Sequence, residues 1–251
     1  MIIWITGASS GMGREAARQY AQLGHTVCVS ARNSDALQSL AEECREFDGN
    51  VYAAAMDVTD VTQTTEGFKN ICKAVGVPDL TILNAGTYIR NTAKNFDRDV
   101  FETTMQINFM GTINCLQQVI PEYISQGSGR IAVVSSVAGY RGLPGGSAYG
   151  ASKAALINLV EAMQPELASQ GVCISLVNPG FVRTPLTDKN KFPMPFLMEV
   201  DDAVRAMIAG IERRRFEVTF PKRFTWMVKF LRLLPISLYL WLTRNVVKRD
   251  R

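Results

Sequence analysis

The sequence predicts an α/β fold, a doubly wound parallel sheet with helices on both faces, and three observations carry that expectation. A short apolar run, Met1 to Thr6, leads into the glycine-rich turn Thr6-Gly-Ala-Ser-Ser-Gly11-Met-Gly13 and then into a helix-like stretch ending at Gly24. Strand-like and helix-like segments alternate from there to residue 220, the pattern of crossover units on a parallel sheet. The chain has 251 residues, 47% hydrophobic and 20% charged, which suits one large globular core.

The first strand is apolar without interruption, as a strand buried on both faces requires. The turn after it forms a phosphate cradle. Gly7 permits the tight turn, and Gly11 and Gly13 let backbone N–H groups and the helix N-terminus approach a pyrophosphate, with Ser9, Ser10 and Met12 as further contacts. A strand before the motif and a helix after it separate it from a plain glycine-rich loop. Thr26 to Ala31 reads as the second strand, and Arg32 follows directly. An acid near this point binds the ribose 2′-OH of NAD. A guanidinium suits a 2′-phosphate, so Arg32 points to NADP(H) over NAD(H). His25, the only histidine, reads as a surface residue in the preceding turn.

Ser34 to Phe47 has an amphipathic helical pattern, and Val51 to Met56 reads as the third strand, closed by Asp57 and Val58. Asp57 either accepts from an adenine amino group or caps the next helix. Leu80 to Leu83 is the fourth strand, and Asn84, Ala85 and Gly86 close it with residues small enough for a flat ligand to approach. Phe101 to Gln118 reads as one long helix, in which Asn108 needs a polar partner if it is buried. Arg130 to Ser136 is the fifth strand. It places Ser136 at a C-terminal strand end, where open α/β sheets bind ligands.

Tyr149 and Lys153 stand at i and i+4, one turn apart on one helix face. A phenol titrates near ~10, and a neighbouring cation lowers that value toward useful proton transfer. By itself the pair reads as two solvated side chains; its company gives it meaning. Pro165 is expected to bend this helix or end it early. Val172 to Val177 is the sixth strand, closed by Asn178-Pro179-Gly180-Phe181-Val182-Arg183-Thr184. Pro185 to Leu197, with three prolines, has the look of a mobile lid. A helix from Val200 to Arg215 and a seventh strand from Phe216 to Phe220 complete the alternation.

Taken in order, Thr6-Gly-x3-Gly11-x-Gly13, Asn84-Ala-Gly86, Asn108, Ser136, Tyr149-x3-Lys153 and Pro179-Gly180 are similar to the short-chain dehydrogenase/reductase (SDR) family, in its compact single-domain branch. The resemblance covers roughly residues 1–220. It implies a Rossmann-like, seven-stranded sheet and an oxidoreductase that moves a hydride between a nicotinamide and a carbonyl or secondary alcohol. It implies that Tyr149 is the general acid in reduction and base in oxidation, that Lys153 lowers its pKa and holds the nicotinamide ribose, and that Ser136 polarises the carbonyl. By the same resemblance Asn108 holds a water that links Lys153 to solvent. Asp57 and Val58 meet adenine, Asn84, Ala85 and Gly86 line the cofactor with Pro179 and Gly180, and Val182 and Thr184 reach the carboxamide and phosphate side. Arg32 marks the NADP-preferring subset. One position departs from that subset: Ser10 stands where a basic residue often precedes the middle glycine, which leaves the preference on Arg32, aided by Arg14. No metal has a place in this chemistry.

The family pattern ends near residue 220, and the remaining segment is a basic amphipathic extension. From Pro221 onward eight Lys or Arg face one acid, so residues 1–220 are net negative although the chain is +4 overall. Met227, Phe230, Leu231, Leu234, Leu238 and Trp241 share a helical face opposite Lys222, Lys229 and Arg232, and Pro235 divides the segment into two short helices or one kinked one. The apolar run Leu233 to Leu242 is too short to span a bilayer. The pattern suits a membrane surface through residues 222–251, or packing on the body or a second subunit. An extension folded back over the lid would favour an apolar, lipid-like substrate. Nucleic acid is not expected, because the basic residues are interleaved with large apolar ones.

Five scattered cysteines with no C-x-x-C pair fit a reducing compartment. Met1 to Ile5 runs straight into the glycine turn, without the layout of a signal peptide. A cytoplasmic protein, peripheral at most to the inner face of a membrane, is expected. The resemblance also implies a homodimer or homotetramer pairing through the helices of Asn108 and Tyr149. The alternative in function is a non-catalytic NADP-binding sensor or scaffold; loss of Ser136, Tyr149 or Lys153 would favour it, and all three are present.

Overall fold

A computed structural model of the chain describes residues 1–188 and 194–249, those after Arg244 by their backbone alone. Seven strands form one sheet, β1 (Ile2–Thr6), β2 (Thr26–Ser30), β3 (Asn50–Ala53), β4 (Leu80–Leu83), β5 (Gly129–Val134), β6 (Val172–Pro179) and β7 (Glu217–Phe220), in the order β3-β2-β1-β4-β5-β6-β7. Every neighbouring pair is parallel. The strand order reverses between β1 and β4, and a crevice opens there beyond the C-terminal strand ends.

The uninterrupted apolar strands are explained by burial on both faces. Ile3 and Ile5 point into a core with Val27, Val29 and the helices α1 (Gly11–Gln22), α2 (Ser34–Glu43) and α7 (Val200–Glu212). Trp4, between them, points the other way into a core with Leu83, Val133 and the helices α3 (Val61–Val75), α5 (Gly111–Gln126) and α6 (Ser147–Ser169). The one polar atom of Trp4 is satisfied, since its indole N–H donates to the Ser30 hydroxyl at 2.8 Å.

Several boundaries differ from the expected ones. β3 stops at Ala53, three residues before Met56. β5 stops at Val134, so Ser136 lies beyond it and caps the short 3₁₀ turn Val137–Gly139 by accepting from the Ala138 N–H at 3.1 Å. The single helix expected over 101–118 is α4 (Arg98–Met105), a π-helical turn (Gln106–Met110) and α5. Asn108 is the buried residue of that turn. Pro165 does not end α6, which runs through it to Ser169. Pro165 and Glu161, the residue four before it, are both exposed, so water meets the carbonyl that proline cannot bond, and buried Leu167 holds the turn beyond.

The extension forms two helices, α8 (Lys222–Leu233) and α9 (Ile236–Arg249), parted at Pro235 after an extended Leu234. Its inward contacts are Phe224, Thr225, Val228 and Tyr239, a set the apolar spacing did not single out. Among the described residues no helix is long and apolar enough to cross a membrane.

Candidate active site

The site begins at the glycine turn between β1 and α1. Gly7 has a left-handed φ of +68°. A Cβ on Gly13 would lie 2.5 Å from both the Gly7 carbonyl oxygen and the Asn84 side-chain nitrogen, so the third glycine seats α1 against the sheet. Asn84 braces the same turn from β4, donating to the carbonyls of Thr6 and Gly7 at 3.1 and 3.2 Å. The Thr6 hydroxyl accepts from the N–H groups of Asn84 and Ala85. Ser10 occupies the N-cap of α1 but its side chain makes no capping bond, and no acid stands in the first turn. Those first-turn amides therefore suit an anionic ligand.

From this turn a cleft of about 580 Å³ runs across the strand ends. Of the residues expected at the cofactor, Gly7, Ser9, Ser10, Gly11, Met12, Arg32, Asp57, Val58, Asn84, Ala85, Gly86, Tyr149, Lys153, Pro179, Gly180, Val182 and Thr184 line it, as does Ser136. Gly13 does not, in keeping with its role underneath, and Asn108 lies behind the wall that Ile107 presents. Ala31, Asn33, Met56, Val134 and Ser135 complete the lining without having been expected there, together with Pro185, Leu186 and Thr187 at the start of the expected lid. Arg32 is exposed at the rim. Arg14 does not join it: its guanidinium is held by Glu43 at 2.7 Å and by the Ala36 carbonyl, on the α2 side. Asp57 does not cap α3, a task that falls to Asp60; it accepts from the N–H and hydroxyl of Thr59.

Ser136, Tyr149 and Lys153 share the inner end of the cleft. α6 brings Lys153 inward because its buried positions, Ser152, Lys153, Leu156 and Val160, follow helical spacing. The Ser135 hydroxyl pins the helix by donating to the Lys153 carbonyl at 2.8 Å. The Lys153 ammonium donates to the Val134 carbonyl at 2.8 Å and lies 5.7 Å from the centre of the Tyr149 ring. Burial lowers the lysine to about 8. Burial likewise raises the Tyr149 phenol; the Ser136 hydroxyl pulls it back and Tyr88, stacked edge-on at 5.4 Å, adds to the rise. The expected lowering of the phenol by Lys153 is thus not what this arrangement gives. Burial is the dominant cause, and the lowering contribution comes from the Ser136 hydroxyl rather than from Lys153.

Asn108 is fully committed to protein groups. Its carbonyl accepts from Thr87 N–H at 2.7 Å, and its amide donates to the Thr87 carbonyl at 3.0 Å and the Ser152 hydroxyl at 2.9 Å. It ties the 84–88 loop to α6 beside Lys153, and its backbone carbonyl accepts from the Thr112 hydroxyl at 2.9 Å.

The lid and the extension frame the other side. Residues 189–193 of the expected lid lie outside the described residues, but its two ends are held together. Arg183 N–H donates to the Met198 carbonyl, Met198 N–H to the Phe181 carbonyl, and Arg183 pairs with Glu199 at 2.9 Å. Phe224 of α8 sits where a Cβ on Gly180 would come within 2.7 Å of its ring, so the extension packs against the cleft wall. Lys229 of α8 pairs with Glu217, which also accepts from the Tyr140 hydroxyl at 2.5 Å. Arg141 donates to the carbonyls of Arg232 and Leu234 and lies 4.3 Å over the Tyr239 ring, whose hydroxyl donates to the Gly142 carbonyl. The loop from Ser136 to Tyr149 is therefore clasped by α8 and α9.

A parallel sheet with a dinucleotide cradle at its reversal point, and a serine, tyrosine and lysine at the inner end, defines a nicotinamide-dependent oxidoreductase. The sequence profile described as short chain dehydrogenase matches residues 1–193. An uncharacterized oxidoreductase of Myxococcus xanthus is 37% identical over 94% of this chain and 93% of its own. The 3-oxoacyl-(acyl-carrier-protein) reductase FabG of Thermotoga maritima is 34% identical over 74% of this chain and 75% of its own. A short-chain dehydrogenase from Sphingobium yanoikuyae, solved in complex with NADPH, superposes with a TM-score of 0.80 at 26% identity, covering 100% of this chain and 96% of that one. The chain belongs to the short-chain dehydrogenase/reductase family.

Proposed function

We propose that this oxidoreductase reduces an apolar, lipid-like carbonyl with NADPH, using Ser136, Tyr149 and Lys153. The observation that carries the reading is the cleft itself, which joins that trio at one end to Arg32 at the other with no carboxylate at the β2 end. The glycine turn fits a pyrophosphate, because Ser10 leaves the first-turn amides of α1 uncapped. A bound nicotinamide supplies the hydride. Ser136 holds the carbonyl oxygen. The Tyr149 phenol, kept protonated by burial, donates to that oxygen as charge develops there. Lys153 stabilises the phenolate left behind, its ammonium held in place by the Val134 carbonyl. Asn108 acts as a positioning residue through Thr87 and Ser152.

The apolar substrate is supported by the rings beside Gly180, where Phe224 lies 5.2 Å from Phe181 and 6.3 Å from Phe196. Relatives named as 3-oxoacyl reductases fit a carbonyl of that kind. Residues 1–220 are read as the catalytic unit and residues 221–251 as its extension, and pairing of copies through α5 and α6 is the assembly we expect. Titration with NADPH and NADH, following nicotinamide fluorescence, tests the cofactor assignment. NADPH should bind tightly and NADH weakly, with the order reversed in Arg32→Asp. Equal binding of both would remove Arg32 from the reading, and binding of neither would leave a scaffold. Activity confined to small polar carbonyls would overturn the substrate class.

A further inference from the structure

The outward surface of the extension is unlike the rest of the molecule. Trp226, Phe230 and Leu233 fall at i, i+4 and i+7 on α8 and are 71%, 63% and 81% exposed, and Trp241 on α9 is 59% exposed. Met227, Ile236, Leu238 and Leu240 are further exposed apolar side chains of the two helices. The helices are not loose, because Phe224, Val228 and Tyr239 are buried beneath them and the clasp on Arg141 and Gly142 holds them to the body. The rings are thus displayed on a fixed platform. An apolar face of this extent marks a surface that meets something other than water.

Charge says what it meets. From Val218 to Arg249 the sequence contains no Asp or Glu. Arg223, Arg232 and Arg244 are exposed and form no ion pair among the described residues, whereas Lys229 is taken by Glu217. A second copy meeting this face across a two-fold axis would bring like charges together. An acidic bilayer surface offers both complements: hydrocarbon for the aliphatic residues, the interfacial zone for two tryptophans, and anionic headgroups for the arginines.

We propose that α8 and α9 dock this protein on an anionic lipid surface. Because the same two helices clasp the 140–142 loop next to Ser136, docking sets the substrate side of the cleft at the lipid boundary. The docking rests on surface chemistry alone and stands whether or not the substrate is a lipid.

Sedimentation of the full chain with vesicles of phosphatidylcholine, and of equal parts phosphatidylcholine and phosphatidylglycerol, tests it. Binding is expected to the anionic vesicles only, with a blue shift of tryptophan emission and progressive release as salt is raised. Phe230→Glu/Trp241→Glu should abolish binding, and Arg223→Glu/Arg244→Glu should abolish it with the apolar face intact. All four positions are exposed, so the variants should keep wild-type nicotinamide titrations, which verifies the fold independently. A protein that stays in solution with both vesicles overturns the proposal. So does equal binding to neutral vesicles, or a self-associated species that Phe230→Glu/Trp241→Glu dissociates, since the face would then be covered by a second copy.

Discussion

Lys153 donates its ammonium to the carbonyl oxygen of Val134, at the end of the strand that precedes Ser136. A buried cation is thereby tied to the sheet rather than to a counter-ion, and burial brings it down to about 8. Below that value the lysine is charged in folded and unfolded chains alike, and the full cost of burying it is present. Between about 8 and the ordinary value of 10.5 the folded protein sheds its proton first, so stability rises with pH. The rise is on the order of 3 kcal/mol. Lys153→Met should lack it and be the more stable protein at neutral pH, while losing turnover. Urea unfolding of both proteins from neutral to alkaline pH measures the difference.

Tyr149→Phe removes only the hydroxyl that lies with Ser136 in the cleft. Turnover should fall by ~10²–10⁴-fold while NADPH titration stays unchanged. Steady-state rates on a ketone substrate, paired with that titration, decide the matter; near-normal turnover would end the assignment of Tyr149 as acid.

Gly13 and Gly142 make a matched pair of glycines. A methyl at Gly13 meets the Gly7 carbonyl and Asn84 at 2.5 Å, whereas one at Gly142 meets nothing within 4 Å. Gly13→Ala should cost ~1–3 kcal/mol by overpacking and weaken cofactor binding, because α1 must move. Gly142→Ala should be neutral by thermal unfolding and by titration.

Glu217 joins β7 to the extension. Burial pushes its carboxyl up, but hydrogen bonds from Lys229 and Tyr140 outweigh that and hold it below its ordinary value. Its contribution is therefore present above the carboxylate range and lost as pH falls through the lowered value. Lys229→Met should leave a stability deficit that grows as pH rises through that range and vanishes in acid. Both side chains are partly exposed, so the deficit should not exceed about 1 kcal/mol. Unfolding across acid to neutral pH reads it directly.

The parts of the site that depend on neighbours in sequence were visible there. Strand, glycine turn and helix adjoin one another, and Tyr149 and Lys153 are one helical turn apart. The parts set by partners far along the chain were not. Asn84 reaches back 78 residues to the Thr6 carbonyl, so its spacing says nothing of the brace it provides. Asn108 needed a partner, and burial alone could not name Thr87 and Ser152. Arg14 looked free for a phosphate until α2 brought Glu43 beside it. On α8 the apolar spacing drew attention to the outward face. Phe224 and Val228, which bury the helix, are fewer and could be picked out only once the groove beneath them was known.

Phe224 resting on Gly180 couples the extension to the turn that follows β6. Without that ring, the Phe181 side chain and the Gly180 backbone would lose the neighbour that covers them. The loop behind the cleft and the surface helices are therefore one packing unit, and a change that loosens α8 should be felt first at the C-terminal end of β6.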